Sequence, residues 1–340
     1  MTSREKLTVI CFDETYVSNR LCYDKKNEHV IGPHKCVQTV VVRGLTSNWK
    51  QPIFYDYDTK MTKELLFNII EELHKIDFNV IAMVSDMGPS TWLWRTLNIS
   101  IENTTFEHPT TSNKIHVFAD VPHLLKLARN HLFDNGFVLP NSKYVGKSIL
   151  QTLLKIDSGD LKLAYRLTER HLEVQGCGRM NVKLASQVFS DTVAKAIAYC
   201  GEKNYLDKQN WKDASEMILL FNNWFDIFNT QHKFDGGTPS YGINLEHQDE
   251  FLDKMSTFIL EMRVYGKKTL VPFQKGIAVC NKSLKSLLKY LKDEHGMEYI
   301  IGRRLNQDII ENLFSFLKGM TGSASSSITA LDFKYWQVFI

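Results

Sequence analysis

The sequence predicts an α/β protein, a mixed sheet with helices interrupted by a large all-helical insertion. Three observations predict it. In Lys6 to Glu14, KLTVICFDE, six mostly apolar residues, Leu7 to Phe12, show no helical period and run into two adjacent carboxylates. Such a run, rich in Thr, Val and Ile, marks a strand buried on both faces. Strand-like and helix-like stretches then alternate up to about residue 135, after which nearly every periodic stretch is helical. A late amphipathic segment, Leu305 to Lys318, closes the chain after that helical block.

The elements follow in order. After the opening strand come Val17 to Cys22, a polar turn at Asp24 to Glu28, and His29 to Gly32. Cys36 to Leu45 and Pro52 to Tyr57 are further strands of a meander joined by short polar turns. Thr62 to Ile76 places Leu65, Leu66, Ile69, Ile70 and Leu73 on one face, so it predicts an amphipathic helix with Thr62 as N-cap. Strands at Phe78 to Ser85 and Ile115 to Ala119 end at Asp86 and Asp120, and Val121 to Leu132 opens a helix with Pro122 in its first turn.

Residues 139–303 read as helices at 147–155, 159–167, 182–199, 210–229, 251–261 and 283–291, with a loop at Gly236 to Pro239. The expected domains are therefore 1–138, the first part of the α/β domain, 139–303, the insertion, and 304–340, its return. In the returning helix Asn306 is the expected cap, and Ile309, Ile310, Leu313, Phe314 and Leu317 form its apolar stripe. A Ser-rich linker, Gly322 to Ser327, follows, and both chain ends read as cut.

Composition bounds the function. The chain has 340 residues, 44% of them hydrophobic and 23% charged, as an ordinary globular protein does. A net charge of +3 permits a nucleic-acid partner without demanding one. No apolar run is long enough to span a bilayer and the N-terminus has no signal pattern, so a nuclear or cytosolic protein is expected. The six cysteines form no C-x-x-C pair, which excludes a zinc finger in this stretch and predicts free thiols. Gly146-Lys147-Ser148 imitates the end of a phosphate-binding loop, but Asn141 stands where that pattern needs glycine, and no strand is expected before it.

Asp13, Asp86 and Asp120 each end a strand, at the sheet edge where α/β sites are built. One such Asp is commonly a turn residue; three are harder to dismiss. Strand-end aspartates followed by a late helical Glu are the layout of an RNase H-like fold, in which carboxylates hold two divalent ions for phosphodiester chemistry. Hard oxygen ligands select Mg²⁺ or Mn²⁺.

The stretches LTVICFDETYV, VIAMVSDMGPST, IHVFADVPHLLKLARNHL, GRMNVKLASQVFSDTVAKAI and RLNQDIIENLFSFLKG resemble the P-element-type transposases, the family that includes the THAP-domain transposases of animals. The resemblance implies cut-and-paste DNA transposition by a catalytic and metal-binding set of Asp13, Asp86 and Glu311. Glu14 is then a neighbour and Asp120 a supporting residue. It further implies that the insertion binds GTP, with Asp226 at the guanine edge and Lys183 and Asp308 as weaker contacts. Transposon-end and target DNA, nuclear localisation and homo-oligomerisation of the full-length protein follow from the same resemblance. The family's THAP zinc finger and coiled coil have no counterpart in this stretch, which puts site-specific DNA recognition in question. Arg303 and Arg304 are the leading candidates for DNA phosphate contacts, with Lys126 and Arg129 among the others. Two alternatives stay open: a domesticated, catalytically inactive DNA- or protein-binding derivative, and an RNase H-type nuclease.

Overall fold

The structure is a computed structural model that describes residues 1–88, 91–159, 161–207, 209–235, 237–320 and 328–336, the side chains of Cys177 and Trp336 excepted. The chain divides into two compact units, residues 1–120 with 303–340, and residues 121–302.

The first unit opens with β1 (Leu7–Tyr16), the short hairpin β2 (Cys22–Asp24) and β3 (His29–Ile31), then β4 (Cys36–Gly44) and β5 (Lys50–Tyr57). Helix α1 (Lys63–Lys75), β6 (Asn79–Ser85), α2 (Thr91–Thr96), β7 (Thr105–Glu107) and β8 (Lys114–Ala119) follow. Six strands form one mixed sheet in the order β5-β4-β1-β6-β8-β7. Strand β1 is central, antiparallel to β4 and parallel to β6, so Leu7 to Phe12 are buried on both faces, as their mostly apolar run predicts. Helix α1 is capped by Thr62, whose Oγ1 accepts the Leu65 amide at 3.2 Å, and it buries Leu66, Ile69, Ile70 and Leu73. Burial of such a side chain contributes roughly 1.5–3 kcal/mol. Strand β7, a sheet edge of three residues, has too few residues for its alternation to be read.

The second unit begins with α3 (Val121–Asp134), β9 (Phe137–Val138), β10 (Tyr144–Val145), α4 (Ser148–Ile156), α5 (Glu169–Leu172), α6 (Val182–Val188), α7 (Asp191–Glu202) and α8 (Trp211–Phe228). It continues with β11 (Phe234–Asp235), β12 (Thr238–Pro239), α9 (Leu245–Glu261), β13 (Arg263–Val264) and α10 (Pro272–His295). Helix α3 belongs to this unit, because its apolar face packs against α6, α8 and α10. The boundary therefore falls after Asp120, not at 138. Pro272 opens α10, and Gly296, at φ 60°, ends it in the left-handed region that favours glycine.

Three local expectations are corrected. The described residues of the expected helix at 159–167 do not form one: the Asp157 carboxylate accepts the amides of Leu163 and Ala164, both at 2.8 Å, and holds residues 163–166 in a turn. Residues 182–199 form two helices, because Ser190 caps α7 by accepting the Val193 amide at 3.3 Å. The insertion is not purely helical, since β10, β9 and β13 form a small sheet. Strand β10 also precedes Gly146-Lys147-Ser148, contrary to expectation, though the missing glycine at Asn141 still excludes the phosphate loop.

The chain returns to the first unit with α11 (Asp308–Gly319) and α12 (Ala330–Trp336). Helix α11 packs against β1 and β4 and buries Ile309, Ile310, Leu313, Phe314 and Leu317. Helix α12 is tied to the β2–β3 hairpin by Asp24, which accepts Lys334 Nζ at 2.8 Å and Tyr335 OH at 2.6 Å. Burial alone would raise the Asp24 carboxyl, but the hydrogen bonds from Asn27, Lys334 and Tyr335 outweigh it and hold it far below the usual carboxylate range. The expected Ser-rich linker at 322–327 lies outside the described residues.

Candidate functional site

The sheet register assembles the carboxylates. Cys11 pairs with Val84 across the parallel β1–β6 ladder, so Asp13 and Asp86, two residues further on in each chain, come level at one edge. Ser85 pairs with Ala119 across β6–β8, which brings Asp120 to the same edge. Asp13 and Asp86 line one cavity of about 360 Å³ with Phe12, Glu14, Lys60 and Trp92. Neighbouring backbone fixes both side chains. Asp13 Oδ1 accepts the Glu14 amide at 2.8 Å, and Asp86 Oδ1 accepts the Gly88 amide at 3.1 Å. A Cβ on residue 88 would approach Asp86 Oδ2 to 3.1 Å, so glycine there leaves that carboxylate room.

Burial pushes the Asp13 carboxyl up to about 7; the charges of Asp86, Glu311 and Glu14 add to the rise, and the Glu14 amide opposes it. Glu14 is also raised, by burial and by Asp86, against the pull of Lys60.

Asp120 is buried and turns away from solvent: its Oδ1 accepts the amide of Gln307 at 2.8 Å. Gln307 Nε2 donates to the Phe12 carbonyl at 2.6 Å, and Asn306 Oδ1 accepts the Asp308 amide at 3.2 Å. The start of α11 is thereby fixed to β1 and to the end of β8, one turn before Glu311. Glu311 is half-buried and is not among the residues lining the cavity, though its charge is felt at Asp13.

Among the described residues no three His, Cys, Asp or Glu side chains stand together as a group that could hold a metal ion. The donor chemistry nevertheless fits a hard divalent cation. Asp13 and Asp86 present oxygen alone to one cavity, and the electrostatic cost of ionising Asp13 beside other carboxylates is what a bound cation would relieve.

The remaining expected residues separate into the two units. In the helical unit, Asp226 on α8 accepts Asn222 Nδ2 at 2.8 Å, and burial raises its carboxyl against that hydrogen bond. Lys183 is exposed in the first turn of α6. A cavity of about 420 Å³ along α8 and α9 is lined by neither of them. In the α/β unit, Asp308 pairs with Arg303 at 2.8 Å. Arg304 donates to the Ser47 carbonyl at 2.9 Å and to Asn48 Oδ1, and Arg43 Nη1 donates to the Arg303 carbonyl at 3.2 Å. Arg303 and Arg304 therefore brace the approach to α11. Lys126 and Arg129 are 4% and 0% exposed, so neither is placed to contact DNA phosphates.

Sequence alone left the Gln307 bridge unseen; a glutamine one turn ahead of Glu311 carries no signal until the fold brings β1 and β8 beside it. Lys60 on the cavity wall was equally silent. Among the described residues five cysteines are free thiols, as expected, and burial pushes Cys11, behind Asp13 on β1, up to about 12.

Comparison with known proteins bears on both units. Residues 1–97 match the family model for the TNP-like, RNase H N-terminal domain, and residues 122–240 that for the TNP-like, GTP-binding insertion domain. Transposable element P transposase of Drosophila melanogaster is 40% identical over 337 residues, covering 97% of this chain and 44% of that protein. DNA transposase THAP9 of Homo sapiens is 27% identical over 204 residues, or 57% of this chain and 22% of that protein. Among solved structures, the Drosophila P element transposase strand transfer complex matches with a TM-score of 0.94 and 38% identity, over 98% of this chain and 76% of that one. The chain spans less than half the length of these curated relatives.

Proposed function

Because this chain belongs to the P-element-type transposase family, we propose that it is the catalytic core of a DNA transposase that cleaves and joins DNA strands with GTP as cofactor. The observation that carries the proposal is the placement of Asp13 and Asp86 level on adjacent parallel strands, facing one cavity, with Asp13 raised to about 7.

In this proposal Asp13, Asp86 and Glu311 hold Mg²⁺ or Mn²⁺, which when bound supplies Lewis acidity toward phosphodiester oxygens. The chain's own contribution is positional. The parallel register fixes two carboxylates, and the Asp120–Gln307–Phe12 bridge fixes the helix that carries the third. Burial of Asp13 disfavours its ionisation, a cost that a bound cation would offset. In this reading Asp226, whose carboxylate accepts Asn222 Nδ2, also accepts hydrogen bonds from a guanine edge, and Lys183 meets phosphate. DNA as substrate, homo-oligomerisation and nuclear localisation belong to the same proposal.

The test is Mg²⁺-dependent cleavage and strand transfer by the full-length protein on terminal-repeat DNA. Loss of product in Asp13→Asn, Asp86→Asn and Glu311→Gln is expected; activity surviving Asp13→Asn overturns the assignment. The alternative reading is a catalytically inactive, DNA-binding derivative. DNA binding without cleavage in the same assay selects that alternative.

A further inference from the structure

Arg129, on α3, is fully buried. A buried guanidinium is costly unless its charge and its donors are met. No carboxylate pairs with it among the described residues; its donors go elsewhere. Nη2 donates to the carbonyls of Gly178 at 3.3 Å and Arg179 at 2.9 Å, and Nε donates to Asn130 Oδ1 at 2.8 Å. Nη1 is buried with no hydrogen-bond partner among the described residues. Burial lowers the guanidinium to about 10, further depressed by the charge of Arg179. Apolar packing of α3 needs no guanidinium at this position, but a loop whose carbonyls must be gripped does.

The gripped loop is specific. Gly176 opens it at φ 50°, residues 176–180 form a 3-10 turn, and Asn181 caps α6 by accepting the Leu184 amide at 3.1 Å. Lys183 stands two residues beyond that cap. Two more residues of α3 hold the same loop: Asn130 Nδ2 donates to the Arg179 carbonyl at 3.3 Å, and Asp134 Oδ1 accepts Arg179 Nη1 at 3.0 Å. We propose that Arg129 is a positioning residue for nucleotide binding, fixing the 178–179 carbonyls and through them the start of α6 and the place of Lys183. The proposal rests on the assignment of Lys183 to the GTP site.

A double-mutant cycle on the full chain, read by titration with a ribose-labelled fluorescent GTP, tests it. Arg129→Met is expected to weaken affinity by about tenfold in the parent background. In the Lys183→Ala background the same change should cost less than about twofold, since the residue it acts through is gone. Hydrogen exchange at residues 176–183 should rise in Arg129→Met. If that variant does not fold, Arg129→Lys, which keeps the charge and loses the fork, replaces it in both measurements. Unchanged affinity, or equal losses in both backgrounds, overturns the proposal. If the parent binds GTP and Lys183→Ala binds it equally well, the Lys183 assignment fails and this proposal with it. If the parent binds no GTP, the proposed cofactor role fails as well.

Discussion

The carboxylate of Asp120 accepts the backbone amide of Gln307 at 2.8 Å, joining residues 187 positions apart in the chain. Gln307 also donates to the Phe12 carbonyl, beside Asp13, at 2.6 Å. The pair therefore sets where α11 begins relative to the strand that carries the first catalytic candidate. Asp120→Ala leaves a buried amide unpaired and is expected to cost about 1–3 kcal/mol in denaturant unfolding. Asp120→Asn retains an acceptor oxygen and should recover part of that loss. Cleavage of terminal-repeat DNA should fall further in Asp120→Ala than its stability loss alone accounts for, because Glu311 is displaced.

Asp13 predicts a pH dependence. Its folded carboxyl lies near 7, above the unfolded value near 4. Its stabilising contribution is therefore complete below about pH 4 and is lost as pH rises through 7, amounting to at most about 4 kcal/mol. Between pH 5 and pH 8 the chelator-treated parent should therefore lose more stability to urea than chelator-treated Asp13→Asn does. Mg²⁺ should restore the difference at pH 8 in the parent and not in Asp13→Asn.

His116 on β8 works in the opposite sense. Burial, helped by the charge of Lys114, holds it down to about 4. Its contribution is complete above the unfolded value near 6.5 and is lost as pH falls from there toward 4, up to about 3 kcal/mol. His116→Leu should flatten the acid limb of the unfolding midpoint between pH 6.5 and 4. Because the two residues oppose one another in that window, the single variants separate what the parent's pH curve combines.

The sheet was largely legible in the sequence, and so were the two strand-end carboxylates. Leu7 to Phe12 show as a doubly buried strand because no charged residue interrupts a mostly apolar run, and Thr62 shows as a cap because the apolar period starts just after it. What stayed hidden depends on contacts distant in sequence or on single side chains overriding a local pattern. Asp157 turns residues 161–167 away from the helix that the sequence suggests there, and Ser190 breaks one expected helix into two. Asp120 was expected as a supporting residue, but what it supports stayed hidden because its partner lies at Gln307. The basic residues misled most: charge alone suggested DNA contacts for Lys126 and Arg129, whose burial in α3 no composition reveals.

Arg303 and Arg304 yield a prediction of the same kind. Their guanidinium groups are engaged by Asp308, by the Ser47 carbonyl and by Asn48. Replacing both with alanine should lower the unfolding midpoint while changing the salt slope of DNA binding by less than about one, whereas two lost phosphate contacts would flatten it by nearly two.

Manganese uptake, followed by electron paramagnetic resonance on the DNA-free chain, tests the carboxylate site most directly, since it requires neither the rest of a longer protein nor turnover. The parent is expected to bind Mn²⁺, and Asp13→Asn, Asp86→Asn and Glu311→Gln each to lose that binding. Equal Mn²⁺ uptake by the parent and by Asp13→Asn, or none by the parent, would contradict a divalent-metal site at the ends of β1 and β6.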